Sequence, residues 1–211
     1  TLKTQVASTR AGGFFGADHS FAWKNNLNYS APEFSGIEIE KTLFSKTLRI
    51  RTIPRERFAV WCKTAAVGAV DPETKTTLTI PECWWVDTTG VAYESALETT
   101  GQLILTVYEK KAGSALSAGS QVTSPQAFGY IKTMLTTLRD LNLGAKRIVI
   151  DRELDELQAE TYSGALIQFS LRFDPAPTAI PALKKFIQKP GLSHLEYINL
   201  TVQNRAFYRE K

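Results

Sequence analysis

Arg49-Ile-Arg-Thr-Ile-Pro-Arg-Glu-Arg-Phe-Ala-Val-Trp-Cys62 and the later Cys83-Trp-Trp-Val-Asp-Thr-Thr-Gly-Val-Ala-Tyr93 decide how this chain is divided. In the first stretch apolar and polar residues alternate up to Ile53, the period of a half-buried strand. Pro54 and the charged run Arg55-Glu56-Arg57 interrupt it. Phe58-Ala-Val-Trp-Cys62 then opens a new, buried strand. In the second stretch a Cys-led strand ends at Asp87-Thr-Thr-Gly90, a turn composition, and Val91-Ala-Tyr93 returns. The charged run reads as a seam between two domains, residues 1–57 and 58–211, and 211 residues accommodate two small domains.

Upstream of the seam, Ile37-Glu-Ile-Glu-Lys41 alternates and 43–46 is a turn region, so 37–53 predicts a β-hairpin with Leu48 and Ile50 inward and Arg49 and Arg51 outward. Residues 2–11, closed by Gly12-Gly13, and Asn25 to Tyr29, ahead of Pro32, predict short helices. Phe14, Phe15, Phe21 and Trp23 lie around Asp18-His19 and read as core plugs under a loop. A small unit of this kind buries little core alone.

Downstream, residues 63–82 are a long excursion, extended or looped, with Gly68, Asp71-Pro72 and a Thr-rich run. Gln102 to Tyr108 is a strong strand, and Lys110 to Gln121 a surface loop. Ser124-Pro125 opens the best helix, with Phe128, Ile131, Leu135, Leu138 and Leu141 as its stripe, Met134 widening it and Gly144 closing it. Arg147 to Asp151 is a strand, 154–157 a connection, and 160–173 two strands broken near Ser163-Gly164. Asp174 to Pro177 is a stop, after which Thr178 caps a helix reaching Lys189 with Ile180, Leu183 and Ile187 inward. The last element runs Leu195 to Tyr208, with Ile198, Leu200 and Val202 on one side and Asn204-Arg205 at a turn or bulge. The expected fold class is α+β, a small unit of helices and a hairpin followed by a larger β domain of mostly antiparallel strands with a packed helix.

The residues carry no chemistry. The net charge of +4 is mild and the basic residues are spread along the chain, which argues against nucleic acid as a partner. Phosphate-binding glycine loops and a Gly-x-Ser-x-Gly elbow are missing, so neither a small-molecule substrate nor catalysis is expected. Cys62, Cys83, His19 and His194 match no zinc spacing and form no local nucleophile pair, so no metal or cofactor is expected. Asp151, Glu153, Asp155 and Glu156 lack the spacing and glycine of a calcium loop and read as a solvated turn. Asn28-Tyr-Ser30 and Asn199-Leu-Thr201 match the glycosylation triplet by coincidence. Cys62 and Cys83 are either buried free thiols or a disulfide closing a loop of about twenty residues, worth about 3 kcal/mol in the loop-entropy model. The chain starts at Thr1 and its single methionine is Met134, so a fragment or processed form is expected; no apolar run approaches the ~20 residues of a membrane span.

The order of these strings resembles the extracytoplasmic region of the bacterial cell division FtsQ/DivIB family. Arg55-Glu-Arg-Phe-Ala-Val-Trp61 is similar to the family's joint between a POTRA domain and a β domain. Trp85-Val-Asp-Thr-Thr-Gly-Val-Ala-Tyr93 is similar to its aromatic-x-Asp-x-x-Gly-x-aromatic turn, residues 124–142 to its long helix, and Tyr197-Ile-Asn-Leu-Thr-Val-Gln-Asn-Arg-Ala-Phe-Tyr208 to its closing strand. The resemblance covers roughly residues 14–209. The chain departs from the pattern in lacking the first POTRA strand, in the length of 63–82, and in Asn199 where an Asp is usual.

The resemblance implies a non-enzymatic scaffold of the division septum, with a partial POTRA domain over 1–57 and the β domain over 58–211. It implies a single membrane span preceding Thr1, with this region on the extracytoplasmic side. The implied partners are FtsB/DivIC-like and FtsL-like division proteins, through which septal peptidoglycan synthesis is regulated. By position, the edge that receives a partner's strand is Val202, Gln203, Asn204, Arg205, Ala206, Phe207 and Tyr208. The resemblance also favours the Cys62–Cys83 disulfide. The alternative expectation is a POTRA-type chaperone or translocation module that binds extended polypeptides. A cell-wall hydrolase would need a nucleophile or metal set that the residues do not supply.

Overall fold

The structure, a computed structural model, describes residues 31–41, 48–70, 77–99, 101, 104–110 and 115–211. The short helices expected in 2–11 and 25–29, the aromatic cluster at 14–23 and the 43–46 turn lie outside them. The described residues form an α+β architecture of two helices, a two-stranded hairpin and a nine-stranded mixed sheet. They divide into two compact units, the first ending at Arg55 and the second being Glu56–Lys211. The sequence places the joint two residues later, between Arg57 and Phe58.

In the first unit, β1 (Phe34–Lys41) and β2 (Leu48–Pro54) pair antiparallel from Phe34↔Pro54 to Lys41↔Leu48. Their alternation sets Glu38 opposite Arg51, which form a 4.0 Å ion pair. Arg55 ties off the hairpin by donating from Nε to the Pro32 carbonyl at 2.7 Å and from its amide to Glu33. One expectation fails here: Ile50, read as inward, is 45% exposed, and Ile53 is exposed as well. Alternation identifies the two faces of a hairpin but not which of them is covered.

The second unit starts with β3 (Ala59–Val70), β4 (Thr77–Val86) and β5 (Ala92–Ala96), an antiparallel meander. The excursion expected at 63–82 is largely strand: β3 and β4 continue into it, with Lys63↔Glu82, Thr64↔Pro81 and Ala65↔Ile80 in register. Pro81 is tolerated because β5 pairs only with Cys83–Val86, leaving β4 with an open side at that residue. Cys62 and Cys83 face each other in the same ladder, their Cα atoms 4.1 Å apart, and form a disulfide.

The turn at 87–90 shows why its residue types are needed. Asp87 accepts from the Thr89 amide, the Thr89 hydroxyl and the Val91 amide at 2.7–3.0 Å. Gly90 has φ +85°, and a Cβ there would lie 2.7 Å from Phe128 Cγ. The helix therefore rests directly on the turn backbone.

Thereafter the chain makes two helical crossovers, the usual connection between consecutive parallel strands. The strand read as Gln102 to Tyr108 begins later, as β6 (Thr106–Lys110), parallel to β3. Helix α1 (Pro125–Asp140) then leads to β7 (Ala145–Asp151), parallel to β6. Ser124 caps α1 by accepting from the Ala127 amide, and Pro125 suits the first turn. Its buried residues are Phe128, Ile131, Met134, Leu135 and Leu138, whereas Leu141 is half-buried beyond the helix end. β8 (Glu156–Thr161) and β9 (Leu166–Ser170) continue antiparallel. β8 starts at Glu156, inside the stretch read as a connection, because Asp151 folds the turn early by accepting from the Glu153 and Leu154 amides.

Helix α2 (Ala179–Gln188) crosses to β10 (Leu195–Leu200), parallel to β9, and β11 (Phe207–Glu210) returns antiparallel. Thr178 precedes α2 without a side-chain cap bond. The sheet order is β11-β10-β9-β8-β7-β6-β3-β4-β5, with five antiparallel and three parallel pairs.

Both helices share one core with one sheet face. Met134, Leu135 and Leu183 are fully buried with Trp61, Val107, Ile150, Phe169 and Ile198. Each such side chain contributes roughly 1.5–3 kcal/mol of transfer free energy. On the opposite face the apolar set among the described residues is Val60 and the disulfide, flanked by Trp85, Ile104 and Tyr108.

Candidate functional site

Asn199 Oδ1 accepts from the Thr201 amide at 3.0 Å and the Thr201 hydroxyl at 2.7 Å, which ends β10. This side-chain oxygen does locally what a carboxylate in its place would also do. The Arg205 amide donates to Val202, and Asn204 sits at φ +61°, so 201–206 is a connection. Of the seven residues assigned to an edge strand, Val202, Gln203, Asn204, Arg205 and Ala206 therefore lie in the turn, and only Phe207 and Tyr208 lie in strand. The edge itself is β11, shifted towards the C-terminus to Phe207–Glu210. Hydrophobic alternation does not mark the point where an Asn side chain halts a ladder.

β11 is the last strand of the sheet and all four of its residues are exposed. Its register sets Phe207 opposite Asn199, Tyr208 opposite Ile198 and Arg209 opposite Tyr197. Directly opposed residues share a face, so Tyr208 lies on the helix side, where its ring meets Phe186 of α2 at 5.0 Å. Phe207 and Arg209 lie on the other side, with Arg209 over the Tyr197 ring at 5.4 Å and 3.7 Å from Glu196. Phe207 and Tyr208 are 48% and 49% exposed, so one aromatic flanks the strand on each face. The chain end is tied down: the Lys211 amide donates to His194 and its ammonium to the Ser163 carbonyl. A groove of about 310 Å³ adjoins the strand, between Pro181 and Lys185 of α2 and Leu200, Val202 and Arg205 of the connection.

The opposite edge differs. At β5, Ala92 exchanges backbone bonds with Gly119 (2.7 Å) and Ser120 (2.9 Å), and Val91 bridges to Gln121. The 115–121 segment thus covers the start of that edge, while among the described residues no further strand follows β11 in the sheet order.

Both cysteines are used in the disulfide, so neither serves as a nucleophile or a thiolate ligand. Among the described residues no group of three His, Cys, Asp or Glu is placed to hold a metal ion. The acidic turn at 151–156 is held by its own backbone and by Lys110, whose ammonium lies 3.1 Å from Asp151. That bond, followed by the Leu154 amide, draws the Asp151 carboxyl below its usual 3.8 despite burial. No described helix is long and apolar enough to cross a membrane.

A buried ionic cluster was not foreseen. Glu109 accepts from Trp61 Nε1 at 2.9 Å and Arg152 Nε at 3.0 Å, with Lys63 Nζ at 3.6 Å. Arg152 also donates to the Thr123 hydroxyl and the Val122 carbonyl, fastening the segment ahead of α1 to the sheet. Continuing the β6 alternation past Tyr108 puts Glu109 on the face of Val107, a signal available once the strand is extended.

The charges at the seam part company as well. Arg57 pairs with Glu94 at 3.0 Å and covers the Trp85 ring at 4.7 Å, whereas Arg55 serves the hairpin. Tyr108 donates to Glu98 at 2.8 Å; burial, reinforced by that carboxylate and opposed by Arg147, pushes its hydroxyl up to about 12. Compared with protein-family models and with curated proteins, the chain matches none.

Proposed function

We propose that this chain is a non-enzymatic scaffold of the bacterial division septum, of the FtsQ/DivIB type, that accepts an extended segment of an FtsB/DivIC-like partner as a tenth strand on β11. The observation that carries the reading is the exposed terminal strand Phe207–Glu210 with an aromatic on each face. An open strand edge beside apolar side chains is an aggregation hazard unless a partner covers it. Backbone bonds supply affinity in such pairing and alternate side chains supply specificity. In this reading the hairpin unit is a POTRA domain, an FtsL-like protein joins the complex, and the assembly helps regulate septal peptidoglycan synthesis. The Cys62–Cys83 disulfide supports an oxidising, extracytoplasmic compartment, with a membrane span supplied by sequence ahead of Thr1.

The test follows from strand geometry. Successive residues of a strand direct their amides to opposite sides, so of Phe207→Pro and Tyr208→Pro one removes an outward N–H and the other a ladder bond to β10. The outward variant abolishes binding of an FtsB-like partner in calorimetry and keeps the wild-type melting curve. Unchanged affinity in both variants removes the edge reading. Proline at Asn204 is a poor probe, because φ +61° is closed to it and the turn itself would break.

The exposed Ile50 and Ile53 favour a second reading, a POTRA-type chaperone or translocation module that binds extended polypeptides on the hairpin. Ile50→Ser would then weaken capture of an unfolded client, and the β11 variants would leave it intact.

A further inference from the structure

A groove of about 330 Å³ crosses the N-terminal ends of the parallel strands β3, β6 and β7, the nearest of which is four strands away from β11. Its size is at the small end of the roughly 300–1,000 Å³ range of ligand sites. Phe58, Leu105 and Leu138 give it an apolar floor, while Arg57, Arg139, Lys146 and Arg147 line it and, among the described residues, no carboxylate does. The carboxylates that meet these cations come from outside the groove: Glu94 to Arg57 at 3.0 Å, Asp140 to Arg139 at 3.7 Å and Glu160 to Lys146 at 3.2 Å. All six side chains are about half exposed, so each pair contributes at most about 1 kcal/mol and yields readily to a competing carboxylate. Leu97, two residues from the rim at Thr99, is 86% exposed.

We propose that this groove docks an acidic peptide segment of another protein, with an aliphatic side chain between its carboxylates. Arginines bind carboxylates through paired, charge-assisted bonds, and the apolar floor takes the aliphatic group. The same residues do not suit single-stranded nucleic acid, which needs free aromatic faces for base stacking. Arg57 already covers the Trp85 ring at 4.7 Å, and Arg147 the Tyr108 ring at 5.5 Å. The groove is separate from β11, so this proposal stands or falls independently of the strand-addition reading.

The test is amide chemical-shift mapping of the isotope-labelled chain titrated with the acetylated peptide Glu-Leu-Glu-Glu-Leu-Glu, its Lys-for-Glu counterpart and an oligothymidylate. The acidic peptide shifts Gly101, Thr106 and residues 144–147, and its affinity falls roughly tenfold between about 50 and about 300 mM salt. Lys146→Glu with Arg147→Glu, both exposed positions, abolishes the effect. Shifts scattered over the surface or confined to β11, equal binding of the lysine peptide, or oligothymidylate bound as tightly at the same residues would overturn the proposal. Mapping on the unaltered chain decides the matter even if the double variant folds poorly.

Discussion

Replacing Gly90 by alanine tests whether the 87–90 turn supports α1 through its bare backbone. Two costs add at this residue. The backbone sits at φ +85°, which an L-residue adopts at a cost of about 1–2 kcal/mol. The new Cβ would lie 2.7 Å from Phe128 Cγ and 2.9 Å from Cδ2 of the same ring. Phe128 is itself held, buried in the core and edge-on to Phe58 at 6.1 Å. Overpacking of this kind costs typically about 1–3 kcal/mol. The sum is about 2–5 kcal/mol, a large part of the ~5–15 kcal/mol that stabilises a domain. For a unit of this size each kcal/mol lowers Tm by roughly 2–4 °C, so the melting point drops by about 4–20 °C. Urea unfolding of wild type, Gly90→Ala, Phe128→Ala and the double variant separates the two costs. With the ring removed, alanine at 90 retains only the backbone penalty, so the cycle shows a coupling of about 1–3 kcal/mol. A Gly90→Ala cost under about 1 kcal/mol, or the same cost with and without the ring, refutes the close-approach argument.

Thiol titration under denaturing, non-reducing conditions finds no free thiol, and reduction costs about 3 kcal/mol for the 21-residue separation of the pair; two free thiols would contradict the disulfide. Glu109→Ala leaves Trp61, Lys63 and Arg152 without their shared carboxylate and costs about 3 kcal/mol, the low end for a broken buried pair because Arg152 is partly exposed. Equal stability of that variant and wild type in urea would remove the cluster's structural role. Ultraviolet titration shows one tyrosine ionising near 12, lost in Tyr108→Phe. Because that value is raised on folding, the contribution is whole below pH 10 and is lost as pH rises towards 12; a single inflection at 10 in the wild type rules it out.

What the sequence determined by itself is local. The hairpin, the Asp87–Gly90 turn and the Ser124-capped helix follow from alternation, capping chemistry and the backbone needs of Gly and Pro, all interactions between near neighbours; the strand read as reaching Phe173 ends earlier, at Ser170. The α+β class follows from those elements in order. Tertiary structure decided what depends on partners far along the chain. It placed β3 beside β6, so that Lys63 and Glu109 share a buried site with Arg152. It brought Cys62 opposite Cys83, resolving a pair that the residues alone left as thiols or disulfide. It left Ile50 uncovered, although its alternation matches that of buried strands. It also moved the open edge to β11, because the Asn199 side chain stops one strand and the sheet order makes the next one terminal. Periodicity records which residues share a face. Which face is buried, and which edge stays open, depends on packing between segments that no local pattern encodes.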